Sequence, residues 1–334
     1  MANVDKAEKK IALLHRYPAD QIKKTNAAFP HLREKGIDVL TFKKFDRLSK
    51  HKKFWKSILW VFYAPCLVFG RGYDVIYCDD SYPFYPIFVK LVSPFSKVVL
   101  RIGDFHLMYY YSGWVYHLLH YFEQLGWMMA DRIVAISYEM GEKIGSEIGY
   151  KKLYLVLDPV DPKDFPIQDG KCLAGVMFHG VLTKNKNLDL MIEAAKRLPN
   201  IFFMIVGDGP DLKRLKNIAS SNIHFPGWVT IKELNQLMRV CSVGVALRSD
   251  NPGNEYVVTS PFLQYGIMGK PCLVTRRRVF RNYEWQFSGV DEMVEKIKIL
   301  LQKPEEGERL RKYVLENHDA QKIAEQIWKI LLSV

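Results

Sequence analysis

Between residues 201 and 206 the chain reads Ile-Phe-Phe-Met-Ile-Val, with no polar side chain, and then stops at Gly207-Asp208-Gly209-Pro210. A strand with one face in water alternates apolar and polar residues, so a run without alternation is covered on both faces. The same unit of apolar run, turn and helix-periodic segment recurs from 172 to 275. The runs are 174–179, 201–206, 223–225, 243–247 and 272–275, and helices are predicted over 188–198, 211–215, 231–240 and 261–268. This order predicts a parallel sheet wrapped by helices. Ligands of such sheets sit outside the carboxyl ends of the strands, where Gly180, Gly207 and Gly227 fall.

The first half opens in the same way. A strand at 10–15, a turn at 17–20, a helix over 21–35 ended by Gly36 and a strand at 37–42 make the start of a doubly wound domain. Pro30 lies inside that helix and should kink or split it. Further strands are predicted at 73–78, 98–102 and 130–137. Residues 107–129 hold Tyr109, Tyr110, Tyr111, Trp114, Tyr116, Tyr121, Phe122 and Trp127. Such density suits a long helix with one face in a core and another toward lipid or sugar. Pro159, Pro162 and Pro166 exclude regular helix and central strand from the segment between the halves. The expected division is 1–168, 169–318 and a closing amphipathic helix in 319–334 that packs back on the first domain.

A chain of 334 residues is natural for two domains. Cys66, Cys78, Cys172, Cys241 and Cys272 are scattered and form no CxxC, which argues against disulfides and structural zinc and for a reducing compartment. The polar start lacks the pattern of a signal peptide, and no run reaches the roughly 18 apolar residues of a membrane span. Asp79 and Asp80 are adjacent carboxylates; without further oxygen ligands they read as polar residues at a ligand-site edge or as helix caps.

The net charge of +12 is uneven, with 15 basic against 6 acidic residues up to Lys56. Residues 43–63 combine Lys43, Lys44, Arg47, Lys50, Lys52, Lys53 and Lys56 with Trp55, Trp60 and Phe62. That mixture suits a helix on an anionic membrane surface; the alternative is a loop followed by a core helix. No nucleic-acid-binding module is visible, so nucleic acid is not an expected partner.

The strand ends carry an ordered set of motifs. His179-Gly180-Val181-Leu182, Lys186 and Leu188–Ala195 come first; Ile205–Pro210, Phe225–Val229 and Gly269–Val274 follow. In this order and spacing they resemble the nucleotide-sugar domain of glycosyltransferases with the GT-B fold. The resemblance implies an α/β architecture of two Rossmann-like domains facing a central cleft. It implies transfer of a sugar, with a UDP-sugar favoured, to a lipid-linked or saccharide acceptor. It implies no metal and no other cofactor. Ser260-Pro261-Phe262-Leu263-Gln264-Tyr265 is locally similar to membrane-associated glucuronosyltransferases of xanthan assembly. Together with the basic aromatic segment, this predicts a cytoplasmic protein attached peripherally to the inner face of the cell membrane.

Residue roles follow from the resemblance position by position. Lys186 stands where the family keeps a diphosphate-binding lysine. The arginine often found after the strand glycine is Val181 here, which leaves Lys184, Arg248 or the run Arg276 to Arg278 to supply charge. Gly180, Gly207, Trp228, Val229, Arg248, Tyr256, Ser260 and Gln264 are the other expected donor contacts. The family's paired glutamates are replaced: the second position is Gln264, the first is Tyr256, and Glu255 lies one residue away. Glu255 is the expected contact to the donor sugar, or an exposed loop acid. Asp104, just past a strand end, is either the base toward the acceptor or the cap of the next helix, and His15 and His106 are acceptor-side candidates. The rival readings are a nucleotide-sugar epimerase or hydrolase and a degenerate fold kept as a membrane-bound interaction partner.

Overall fold

The computed structural model describes residues 9–15, 22, 26–41, 63–79, 84–105, 107–108, 111–166 and 175–334. The chain divides into two compact units, Met1–Pro159 with Ala320–Val334, and Val160–Asp319. Each contains a six-stranded parallel sheet. The architecture is α/β.

In the first unit the strands are β1 Ile11–His15, β2 Asp38–Thr41, β3 Val75–Asp79, β4 Lys97–Ile102, β5 Arg132–Ala135 and β6 Leu153–Leu155. Their order is β2-β1-β3-β4-β5-β6. Chain progression reverses between β1 and β3, so the carboxyl ends of these two strands form a switch point, with His15 level with Asp79. One face of the sheet packs Leu13, Tyr77, Val99 and Val134 against the helices Phe29–Glu34 and Ala320–Ser333. The final helix presents Ile323, Ile327, Ile330 and Leu331 to that core, a 3.6-residue stripe. Lys35 and Glu325 pair at 2.6 Å beside it.

Two helices differ from the sequence reading. In the described part of 21–35 the regular helix is Phe29–Glu34, with Pro30 in its first turn. There the missing N–H has no helical partner to lose, so proline starts this helix rather than kinking it. The aromatic helix runs Gly113–Met129, after an extended Ser112.

The second unit contains β7 Gly175–His179, β8 Phe202–Val206, β9 Ile223–Gly227, β10 Val243–Ala246, β11 Cys272–Thr275 and β12 Gln286–Phe287, in the order β12-β11-β10-β7-β8-β9. Its switch point lies between β7 and β10. Val176, Phe178, Phe203, Ile205, Val243 and Val245 face the helices Asp189–Arg197 and Val290–Leu300. Met177, Met204, Ala246, Cys272 and Val274 face Ser260–Ile267 and Glu305–Asn317. Cover on both sides is the reason these strands lack alternation. The helices Val290–Leu300 and Glu305–Asn317 and the two-residue β12 were not foreseen. Glu305–Asn317 buries only Gly307, Leu310 and Val314, a weak periodic signal among charged residues.

The division between units falls at Pro159/Val160 rather than 168/169. Val160 bridges Asp319, donating its N–H to His318 O at 2.8 Å. Phe165 is buried in the second unit's core, and Asn235 donates to Asp164 O at 2.6 Å. The proline-rich segment thus uses its carbonyls and its phenylalanine to join the second unit. Residues 167–174, including the boundary expected near Asp169, lie outside the described residues.

Candidate functional site

Three loops meet at the carboxyl ends of β7, β8 and β9. Gly180 N–H donates to Val206 O at 3.0 Å, and Gly207 N–H to Gly227 O at 2.8 Å. Leu182 N–H donates to Asp208 O at 2.9 Å, and Leu182 O accepts from Asp211 N–H at 3.2 Å. Gly207 has φ +134°, and a Cβ there would overlap the Gly180 carbonyl; a Cβ on Gly209 would overlap that of Leu182. Only glycine lets the two backbones lie this close. The Gly207-Asp208-Gly209-Pro210 turn is here a clasp that fixes the loop leading to Lys186.

Lys186 closes the 3-10 turn Lys184–Lys186, which Asn187 ends with φ 53°. It is half-buried. Arg248 lies just beyond β10, across the switch point. The loops are tied by Ser249 N–H donating to Asn185 O at 3.1 Å. Arg248 is held by its own N–H to Thr275 Oγ1 at 3.1 Å and by Nη1 to Asn254 Oδ1 at 3.4 Å. Asn254 is buried and donates to Ser249 O at 2.9 Å. Burial, and then the charge of Arg248, bring the Lys186 pKa down to about 8. Among the described residues no carboxylate pairs with either cation. Two neighbouring positive charges with no carboxylate partner among the described residues can attract an anion.

His179, the last residue of β7, is 7 % exposed and packs edge-on against Tyr265 at 5.0 Å between ring centres. Its Nε2 is buried without a hydrogen-bond partner. Burial, and then the charge of Lys186, lower its pKa to about 4, so the ring is neutral near pH 7. Neither His179 nor Asn254 was singled out from the sequence. For His179 the available signal was a polar residue closing an apolar strand; Asn254 lies in the turn Pro252–Glu255 and carries no such signal.

Two of the other basic candidates have acidic partners. Arg276 pairs with Glu292 at 3.2 Å, and Arg277 with Asp250 at 2.8 Å. Lys184 is exposed. Glu255 accepts from Arg278 N–H at 2.7 Å and lies 3.6 Å from Arg277 Nε. Its carboxylate therefore ties the turn Pro252–Glu255 to the loop after β11, and Tyr256 closes that turn. Ser260 is the exposed first residue of Ser260–Ile267, and Gln264 is half-buried one turn later. Trp228 is exposed beyond β9, while Val229 packs on the core.

In the first unit His15 is fully buried and contributes, after Arg101, to holding Asp79 below its usual pKa against burial. Asp79 is not a cap: it pairs with Arg101 at 2.9 Å and accepts from Asn26 at 2.7 Å. Arg101 also pairs with Asp158. Asp104 is half-buried in the loop after β4. His106, Asp80 and 43–62 lie outside the described residues. Among the described residues no group of three His, Cys, Asp or Glu side chains is placed to hold a metal ion, and no helix is long and apolar enough to cross a membrane.

Residues 173–317 match the family model for glycosyl transferases group 1. No curated protein matches the sequence. Among solved structures, HepE from Anabaena in complex with UDP-glucose is similar with TM-score 0.68 and 15% identity, covering 98% of this chain and 100% of that one. Sucrose-phosphate synthase from Thermosynechococcus elongatus is similar with TM-score 0.74 and 12% identity, covering 97% and 98%. The lipopolysaccharide outer core galactosyltransferase WaaB, in its apo form, is similar with TM-score 0.67 and 12% identity, covering 97% and 99%. The motif set, the two sheets and these matches agree: the chain has the fold of GT-B glycosyltransferase structures, and its residues 173–317 match the model for glycosyl transferases group 1.

Proposed function

We propose that the protein transfers a glycosyl group from a UDP-sugar to a lipid-linked or saccharide acceptor, without a divalent ion. The observation that carries this reading is the Lys186–Arg248 pair, which lies beside the clasped glycine loops and has no carboxylate partner among the described residues. HepE is a UDP-glucose complex, which favours UDP as the nucleotide. The acceptor oxygen attacks the anomeric carbon, the bond from that carbon to the diphosphate breaks, and the nucleoside diphosphate leaves with the electron pair. Lys186 and Arg248 stabilise the charge that develops on it, in place of a metal. In an inverting reaction Asp104 receives the acceptor proton. Gly180 and Gly207 shape the loops, Trp228 and Val229 flank the base, and Tyr256, Ser260 and Gln264 line the sugar and ribose. Glu255 holds that wall through Arg277 and Arg278. The test is calorimetry with UDP-, GDP- and ADP-glucose in EDTA. UDP-glucose should bind, and Lys186→Ala should weaken it about tenfold or more with little change in melting temperature. Unchanged affinity in Lys186→Ala would remove that lysine from the mechanism. Turnover of donor without acceptor would point to a hydrolase or epimerase, and absence of any nucleotide binding to a non-catalytic partner.

The same reading places the protein at the cytoplasmic face of the membrane. It rests on the helix Gly113–Met129, whose exposed side chains include Trp114 at 76 %, Leu118, Tyr121 at 56 %, Phe122, Met128 and Met129. The helix carries no lysine or arginine, and its one acid, Glu123, is buried. An uncharged aromatic face of this kind matches the headgroup boundary of a bilayer.

A further inference from the structure

We propose that His179 is a donor-binding residue, its Nε2 hydrogen-bonding a phosphate oxygen of the nucleoside diphosphate. The inference rests on the donor-site reading above and adds to it a residue that neither the motif positions nor the glycine loops assign.

Three observations lead to it. The first is position. His179 ends β7 at the switch point, directly before Gly180, whose N–H and carbonyl lie within the loop clasp. The second is an unmet need. A buried imidazole nitrogen without a partner is costly, and native proteins rarely leave such an atom unsatisfied without a use for it. The ring packs on Tyr265, whose hydroxyl is itself committed to Met177 O at 2.8 Å, so that hydroxyl is already in use as a donor. The third is the electrostatic setting. Lys186 lies close enough to oppose protonation of His179, and Arg248 opposes the charge on Lys186. An anion that settles between the two cations therefore lies within the histidine's surroundings.

The chemistry selects the tautomer. A phosphate oxygen only accepts, so the ring must carry its proton on Nε2 when the donor is bound. A third full charge here would deepen the repulsion between Lys186 and Arg248 in the empty site. A neutral imidazole supplies a donor without that penalty.

The experiment compares His179→Phe and His179→Gln with wild type and with Lys186→Ala, using UDP and uridine as separate probes in calorimetry. Phenylalanine keeps the packing on Tyr265 and deletes the donor; glutamine keeps an amide N–H near the Nε2 position. Expected is a loss of UDP affinity of about 10- to 100-fold in His179→Phe, an unchanged affinity for uridine, and recovery to within a few-fold of wild type in His179→Gln. An equal loss for uridine and UDP would make the ring a support of the site's shape and overturn the assignment. Loss in Lys186→Ala with none in His179→Phe would leave the donor site standing and remove His179 from it. A wild type that binds no UDP would remove both. Should His179→Phe not fold, nitrogen NMR of wild type with labelled histidine decides: UDP should bring out a slowly exchanging Nε2–H signal that uridine does not. The same spectrum with either ligand overturns the proposal.

Discussion

Burial and the neighbouring Arg248 both oppose the charge on Lys186, so its proton leaves near pH 8 rather than at the ordinary lysine value of 10.5. A phosphate between the two cations favours the protonated lysine. Donor binding thus takes up no proton well below pH 8 and up to one proton above it. UDP-glucose affinity should be level near pH 7 and fall above about pH 8, at most about tenfold per unit. Lys186→Arg should carry the level region to higher pH, and Lys186→Ala should be weak and flat; calorimetry between pH 7 and 9.5 reads all three. A level wild-type profile would mean that Lys186 does not meet the phosphate. The position of this lysine was legible, because its offset from the strand glycine matches a family motif. Its electrostatics were not. Arg248 is remote in sequence and comes alongside only because β7 and β10 are neighbours in the sheet. His179 was hidden for a related reason: strand periodicity describes which face a residue takes, not what it meets there.

The helix Gly113–Met129 shows what composition conceals at the scale of an element. Its aromatic density announced a two-faced helix and drew attention from a polar junction on it. His120 contacts Glu123 at 2.7 Å and Glu147, on the helix Tyr138–Ile148, at 2.9 Å. Lys143 reaches Glu147 at 2.6 Å, and Tyr116 stacks on His120 at 5.3 Å. Hydrogen bonds to Glu123 and then Glu147 raise the His120 pKa from 6.5 to about 9. Burial opposes ionisation of Glu147, yet His120, Lys143 and Gln124 together bring it from 4.5 down to about 2. The histidine's contribution is complete below pH 6.5 and is lost as pH rises to 9. The glutamate's is complete above pH 4.5 and is lost as pH falls to 2. Both are present between about 4.5 and 6.5, less a share that buried Glu123, itself pushed up, takes back. Partial exposure screens the junction, so the melting-temperature gap between wild type and His120→Gln should be small, roughly 2–4 °C in that window. It should narrow toward pH 9; a gap that widens there would show that the junction is not ionic in origin.

Across the whole chain, each sheet reverses its order beside a strand that ends in histidine, His15 on β1 and His179 on β7. The two switch points then diverge in chemistry. In the first unit, Arg101 is paired within the protein with both Asp79 and Asp158. In the second, Lys186 and Arg248 have no carboxylate partner among the described residues, so an outside anion has most to offer there. A charge asymmetry of another kind concerns the surface. The basic excess is concentrated before Lys56, while the exposed face of Gly113–Met129 is uncharged. These would act on a bilayer by different forces, and salt separates them, because screening weakens the ionic attraction and leaves the apolar one. Replacing Trp114, Tyr121 and Phe122 by serine should lower partition onto phosphatidylcholine vesicles containing phosphatidylglycerol by roughly tenfold or more at any salt concentration. UDP-glucose affinity and melting temperature should stay as in wild type, because these side chains already face solvent. Neutralising Lys50, Lys52, Lys53 and Lys56 should instead reduce binding only to anionic vesicles, and less so as salt is raised. Vesicle sedimentation reads both sets. If the serine variant sediments like wild type, the aromatic face does not meet lipid and the membrane reading loses its structural support.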